Sequence, residues 1–213
     1  MYFTDVFREA YTDYKYFLNR DYSRKVILDV IAARYNLSSL ERLLLYRCVH
    51  SNKEIEIIKG KINNEEREVI LDGYNLALTL ISAINNEELY LCDDGFFRDL
   101  GLGRHKSSEI ISDTLMLISE YCEKHRIKCE IILDKQLSNS GEIASRLRKK
   151  GIEIRTVNKA DKEIIISNKA VYSNDFVILF KSQKISTILN NIFFESGFKI
   201  LKGPWIVNLE EKL

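Results

Sequence analysis

The sequence predicts a mixed α/β protein in two parts: a small all-α module, then a larger domain with a mainly parallel central sheet flanked by helices. In the first fifty residues, apolar side chains recur at intervals of three and four, the period of a helix. Later, short apolar runs alternate with helical patterns, as in βαβ units. The polar, glycine-containing segment 52–66 separates the two patterns. We therefore expect a helical module over residues 1–55 and an α/β domain over residues 66–213.

Helix signals in the N-terminal module are local and specific. Asp21 or Ser23 is placed to cap a helix that runs to Tyr35, and Asn36 suits a left-handed helix end. Ser38 followed by Glu41 has the spacing of a capping box before the apolar run that comes next. These signals predict at least two helices joined by a tight turn.

The second part reads as alternating strands and helices. The predicted strands are EVILD (68–72), KCEIILD (128–134), IEIRTVN (152–158) and AVYSND (170–175). The predicted helices are YNLALTLISAIN (74–85), SEIISDTLMLISEYCEKH (108–125), GEIASRLRKK (141–150), ADKEIIIS (160–167) and one around ISTILNNIFFES (185–196). This order favours a parallel sheet, because successive parallel strands need a crossover helix.

Composition excludes several classes of protein. No apolar stretch is long enough to cross a bilayer, and the N-terminus lacks the basic start and apolar middle of a signal peptide, so we expect a cytoplasmic protein without membrane contact. The net charge of +1 means that nucleic-acid binding would depend on local basic patches. The four cysteines form no CxxC pair, and we expect them to be reduced or at the surface.

Aspartates collect where the predicted strands end. Asp72 and Asp134 end their strands, Asp175 follows another, and Asp161 opens a helix, while Asp94 lies in the acidic segment LCDDGFFRDLG. In a parallel sheet the ligand site lies at the carboxyl ends of the strands. Crowded carboxylates repel one another unless a cation neutralises them, and Mg²⁺ or Mn²⁺ prefers such oxygen ligands. For any single aspartate, a helix cap or turn residue is the favoured interpretation. Four or five of them at the same end of the sheet favour metal binding instead.

Several segments resemble a known family. VILDGYNLALTL (69–80) resembles the first strand and helix of PIN-like and NYN-type domains, and NKADKEIIISNKAVYSND (158–175) resembles their late segment with its Thr/Ser-x-Asp pattern. A wider resemblance is to an uncharacterised, largely archaeal family that joins a helical N-terminal domain to a PIN-like one. Three segments carry it: LNRDYSRKVILDVIAARYNLSSLERLLLYRCV, CDDGFFRDLG and ILDKQLSNSGEIASRLR. The resemblance covers most of the chain.

The resemblance implies a PIN-like Rossmannoid domain with the fold of a metal-dependent ribonuclease. It assigns catalysis and metal binding to Asp72, Asp134, Asp161 and Asp175, with Asp94 as a further ligand. A helix-borne glutamate is a common additional ligand of PIN domains, and here Glu109 and Glu142 occupy helices. RNA is the implied partner, and a homodimer is expected because PIN-like domains often pair.

Substrate contacts are expected around the same strand ends. The expected substrate-binding residues are Asn75, Arg98, Arg104, Lys106, Ser138, Asn139 and Ser140. Arg104 and Lys106 lie in a glycine-containing loop before a helix, and 138–140 precede another helix, where backbone N–H groups bind anions. Ordinary helix capping by Asn139 explains the second segment equally well.

The sequence is compatible with three functions. The first is a metal-dependent ribonuclease in which a bound water attacks phosphorus. The second is a PIN-like RNA-binding or scaffold protein without turnover. The third is a phosphatase acting on a small nucleotide, for which a closed pocket would be the distinguishing feature.

Overall fold

A computed structural model describes residues 3–101 and 107–208 of the 213-residue chain. The described helices are α1 (Asp5–Leu18), α2 (Arg24–Arg34), α3 (Ser39–Cys48), α4 (Asn52–Lys59), α5 (Gly73–Ile84), α6 (Ser108–Lys124), α7 (Ser140–Arg148), α8 (Ala160–Ile165), α9 (Phe176–Lys181) and α10 (Asn190–Glu195). The strands are β1 (Glu68–Asp72), β2 (Leu89–Leu91), β3 (Phe97–Asp99), β4 (Lys128–Asp134), β5 (Ile154–Val157), β6 (Ala170–Tyr172) and β7 (Ile200–Lys202), and a 3-10 helix spans Pro204–Asn208.

The chain forms two compact units. Unit 1 comprises Met1–Gly60, Glu88–Leu102 and Lys199–Leu213, and unit 2 comprises Lys61–Glu87 and Gly103–Phe198. Within the described residues no helix is long and apolar enough to cross a membrane.

Unit 1 begins with helices α1 to α4, of which α2 and α3 correspond to the two helices that the local signals predict. The Ser38–Glu41 capping box is present, and Asn36 has a left-handed φ of 47°, so both local predictions are confirmed. The polar segment 52–66, in contrast, holds an additional helix, α4. A second capping box, between Ser51 and Glu54, starts this helix, and its apolar face is buried in the core.

Unit 1 also contains a small sheet that the sequence patterns do not predict. Its strand order is β3-β2-β7, with β2 antiparallel to β3 and parallel to β7. Trp205 donates a hydrogen bond from its indole nitrogen to the Leu91 carbonyl at 2.8 Å, which ties the C-terminal segment to β2. The sequence ranges assign residues 88–101 and 199–208 to the α/β domain, whereas in the structure they belong to the same compact unit as the N-terminal helices.

Unit 2 is built on a four-stranded parallel sheet with the order β5-β4-β1-β6, flanked by helices. Successive residues of a strand point to opposite faces of the sheet, so each strand contributes side chains to the packing on both faces. On one face, side chains from the strands pack against α8 and α9 in a cluster of Ile70, Ile132, Val171, Ala160, Ile164 and Ile178. The predicted parallel sheet is therefore present.

The turn from β1 into α5 depends on Gly73. A Cβ atom at this position would lie 2.5 Å from a methyl carbon of Ile131 and 2.9 Å from one of Leu133. Glycine lets α5 start against β4 directly at the end of β1. Because the helix starts at Gly73, Asn75 lies within its first turn, three residues after Asp72.

The structure differs from the predicted helices at two places. The predicted helix over 185–196 begins only at Asn190, and α9, which was not predicted, follows Asp175. Asp175 caps α9 by accepting hydrogen bonds from the backbone of Val177 and Ile178.

The prediction of reduced or surface cysteines is wrong for this structure. Cys48 pairs with Cys92 in unit 1, and Cys122 pairs with Cys129 in unit 2. Three of these cysteines are fully or almost fully buried. The sequence spacing misled because partners 44 residues apart meet only through tertiary contacts.

Candidate functional site

Four aspartates lie along the carboxyl edge of the unit 2 sheet. Asp72 ends β1 and Asp134 ends the adjacent β4. Asp161 lies in the first turn of α8, directly after β5, and Asp175 follows β6. Because the four strands are parallel, all four residues come to the same edge, here called the acidic edge.

Asp72 is the buried centre of the acidic edge. The residue is only 4% exposed, and two donors meet at one of its carboxylate oxygens: Asn75 Nδ2 and Ser173 Oγ each lie 2.6 Å from Asp72 Oδ2. The other oxygen, Oδ1, accepts no hydrogen bond from the described residues. The carboxylate is thus held in one orientation and keeps a free oxygen.

Electrostatics show that these aspartates affect one another. Burial raises the pKa of Asp72 to about 6, the hydrogen bonds from Ser173 and Asn75 oppose that rise, and the charges of Asp161 and Asp175 add to it. The pKa of Asp161 is also raised, first by burial and then by the charges of Asp175 and Asp134. Mutual repulsion of this kind is what a bound cation would relieve.

Asp134 and Asp175 have structural roles as well. Asp134 Oδ1 accepts from the backbone N–H of Gln136 at 2.7 Å, and its Oδ2 accepts from that of Ala160 at 3.3 Å. Asp175 Oδ1 accepts from Val177 at 2.7 Å. The capping interpretation is therefore correct for Asp175 at the level of local structure. A carboxylate oxygen has further lone pairs, so capping leaves room for a second partner.

No cation among the described residues forms an ion pair with any of the four aspartates. The donor set is oxygen only, without histidine or cysteine. Such a set suits a hard divalent ion, Mg²⁺ or Mn²⁺, and not zinc or copper.

Asp94 and Arg98 belong to unit 1 and pair with each other there. Both are buried, and the Arg98 guanidinium donates to the two carboxylate oxygens at 2.9 and 2.5 Å. Burial alone would raise the pKa of Asp94, but the charges of Arg98 and His50 hold it below its usual value. Arg98 is thus occupied by an internal ion pair and does not present a free guanidinium to substrate.

Asp93 completes this buried network. Its Oδ1 lies 2.6 Å from His50 Nδ1, and its Oδ2 accepts from the His50 backbone at 2.9 Å and from Lys15 Nζ at 3.0 Å. His50, Asp93 and Asp94 offer three ligand atoms within 4.8 Å of one another. Protein donors already use every carboxylate oxygen of Asp93 and Asp94, so we interpret the cluster as an internal ion network.

The remaining predicted residues are placed as follows. Asn75 donates to Asp72, as described above. Ser138 and Asn139 are exposed in the turn before α7, and Ser140 is buried. Asn139 has a left-handed φ of 63° and makes no side-chain capping bond, so the capping interpretation is wrong for this residue. Arg104 and Lys106 lie outside the described residues.

The two glutamates implied by the resemblance are exposed. Glu109 lies in the first turn of α6 and Glu142 in the first turn of α7. Because α7 follows β4 directly, Glu142 starts from the same edge of the sheet as Asp134.

Ser173 was not among the predicted site residues. It is fully buried, it donates to Asp72, and its oxygen accepts from the Asp175 backbone at 3.0 Å. It thereby connects two of the four aspartates. The Thr/Ser-x-Asp pattern already contained this position, and that pattern was the signal from which its role could have been inferred.

A family model described as a domain of unknown function, DUF5616, matches residues 62–191. The chain belongs to this family. A second model, described as a protein of unknown function, DUF434, matches residues 6–61. The two ranges meet within the polar segment 52–66. Neither description names an activity or a PIN-like fold.

One relative covers most of the chain. Uncharacterized protein MJ0935 of Methanocaldococcus jannaschii is 31% identical over 196 residues, which is 86% of this chain and 93% of the relative. No solved structure matches the chain.

Proposed function

We propose that unit 2 is a PIN-like, metal-dependent ribonuclease domain whose active site is the acidic edge. The observation that carries the proposal is the meeting of four carboxylates from four chain segments at one edge, none of which forms an ion pair with a cation of the described residues. Carboxylates held close together repel one another, which destabilises the folded protein. A bound divalent ion would remove this repulsion.

The residues fit a Mg²⁺ or Mn²⁺ ion in their chemistry. Asp72 supplies the free Oδ1, and Asp134, Asp161 and Asp175 supply further carboxylate oxygens. When bound, such an ion would activate water and stabilise the charge that develops on a phosphodiester. The chain's own contribution is orientation: Ser173 and Asn75 fix Asp72 through one oxygen, so the other stays available.

Asp72 also sets a pH requirement. A pKa of about 6 means that the carboxylate is largely ionised only at neutral pH and above. Metal binding needs the ionised form and displaces the proton. Activity is therefore expected to rise as the pH increases through about 6.

The test is cleavage of a mixed pool of single-stranded and structured RNA by the purified full chain, with Mn²⁺, Mg²⁺ or EDTA. Wild type is compared with Asp72→Asn and Asp175→Asn. Asp113→Asn is the matched control, since Asp113 is an exposed aspartate that pairs with Arg146 at 2.8 Å.

Metal-dependent cleavage that is lost in the first two variants and kept in the control supports the ribonuclease. RNA binding without cleavage in any metal would instead favour the scaffold protein. Release of phosphate from mononucleotides, with intact RNA, would favour the phosphatase.

A further inference from the structure

Two exposed lysines lie beside the acidic edge. Lys135 follows Asp134 directly, and Lys159 lies two residues before Asp161. Both side chains are exposed, and neither forms an ion pair or side-chain hydrogen bond with any described residue. They were not among the residues predicted to bind substrate.

Backbone hydrogen bonds bring the two lysines to neighbouring loops. The Lys135 N–H donates to the Val157 carbonyl at 2.7 Å. From the other side, the N–H of Ala160, the residue after Lys159, donates to Asp134 Oδ2 at 3.3 Å. The loop after β4 and the loop after β5 are therefore tied together at the edge where the aspartates lie.

Lysines on the rest of this sheet behave differently. Lys128 pairs with Glu68 at 3.2 Å, and Lys169 pairs with Glu130 at 3.3 Å. Glu68 and Lys128 open β1 and β4, so these pairs neutralise charge toward the amino ends of the strands.

At the acidic edge both signs of charge stay unpaired, although a lysine side chain is long and flexible enough to reach a nearby carboxylate. Surface ion pairs contribute little to stability, so leaving them unmade costs little. The informative feature is that unpaired anions and unpaired cations occupy the same edge. A metal ion bound together with a phosphate chain would satisfy both sets at once.

We propose that Lys135 and Lys159 bind the phosphate backbone of single-stranded RNA next to the acidic edge. The inference rests on the proposed function for its choice of RNA as the ligand. It assigns the lysines a role in binding and positioning the strand, while the aspartates hold the metal.

The test measures binding of a fluorescein-labelled 12-nucleotide oligouridylate to the full chain in EDTA, over a range of salt concentrations. The double variant Lys135→Ala/Lys159→Ala is compared with wild type. Lys149→Ala/Lys150→Ala is the matched control, because those two lysines are equally exposed and unpaired in the described residues but lie at the far end of α7. Lys135→Arg/Lys159→Arg keeps both charges and tests for effects on folding.

We expect the double alanine variant to bind more weakly and to lower the slope of log affinity against log salt by about 1.4, since each phosphate contact on a single strand contributes about 0.7. The arginine variant and the control should keep the wild-type slope. In Mn²⁺-dependent cleavage the alanine variant should raise KM and leave kcat nearly unchanged.

Unchanged affinity and slope in the double alanine variant would overturn the inference, as would an equal loss in the control. A different result separates the two proposals. If wild type shows lysine-dependent binding but no cleavage with any metal, the ribonuclease proposal fails and the phosphate-binding role of the lysines stands.

Discussion

Replacing Asp72 by asparagine is expected to make the metal-free protein more stable at neutral pH. Asp72 is almost fully buried, and the charged carboxylate is held there at a cost in free energy. Asparagine has the same shape and keeps an oxygen that accepts from Ser173 and Asn75. It removes the buried charge without creating a cavity.

The size of the effect follows from the pKa. Burial raises the pKa of Asp72 from 3.8 to about 6, and each unit corresponds to about 1.36 kcal/mol. At pH 8 the ionised carboxylate therefore costs about 3 kcal/mol relative to an aspartate of ordinary pKa. We expect Asp72→Asn to recover about 2 to 3 kcal/mol, because the amide N–H₂ must also find partners.

The pH dependence has a definite sign. Below about pH 4 both folded and unfolded wild type hold the proton, so the buried group costs nothing. Between about pH 4 and 6 the unfolded chain releases its proton first, and wild-type stability falls as the pH rises. Above about pH 6 the whole cost is present. The advantage of Asp72→Asn should therefore be absent at pH 4 and greatest at pH 7 to 8.

Urea unfolding in EDTA at pH 4, 5, 6, 7 and 8 measures this difference. Asp175→Asn is the control, because Asp175 is exposed and asparagine also caps helices well, so its effect should stay within about 0.5 kcal/mol. A destabilised Asp72→Asn at pH 8, or a difference that does not vary with pH, would refute the reasoning. With Mn²⁺ at 100 times its Kd, wild type should gain about 2.7 kcal/mol, and Asp72→Asn should gain much less.

Three further predictions concern single features of the structure. Ser173→Ala removes one of the two hydrogen-bond donors to Asp72, so the free energy of unfolding should fall by about 1 to 3 kcal/mol. The pH midpoint of Mn²⁺-induced stabilisation should also move to higher pH, and an unchanged midpoint would contradict the role of this hydroxyl. Arg98→Ala should lower the free energy of unfolding by about 3 to 5 kcal/mol, because the buried charge of Asp94 loses its partner. If Asp94 holds no metal, the increase in melting temperature on adding metal should persist in this variant. Alkylation and mass spectrometry under denaturing, non-reducing conditions should find no free thiol, and labelled thiols in the unreduced chain would show that the disulfides are absent. Cys48→Ser should lower the free energy of unfolding by about 4 kcal/mol, because the disulfide closes a loop with a separation of 44 residues and so restricts the unfolded chain.

Much of unit 2 follows from local pattern. The boundaries of β1 and β4 match the apolar runs that predict them. A strand that is buried on both faces has a continuous apolar sequence, and a polar residue marks its end. The capping box at Ser38 is similarly local, since it needs only residues three apart. Elements that depend on distant partners were missed, among them β7 and the pairing of Cys48 with Cys92.

The sequence by itself determined which residue types stand at the ends of the parallel strands, and thereby that Asp72 and Asp134 share one edge. Only the tertiary structure decided how each carboxylate is used. Asp94 resembles the others in the sequence, yet it is neutralised by Arg98, while Asp72 has two neutral donors on one oxygen and no ion pair with any described residue. The physical reason is that the state of a carboxylate depends on burial and on which charges lie within a few ångströms, and residues distant in the chain supply most of those.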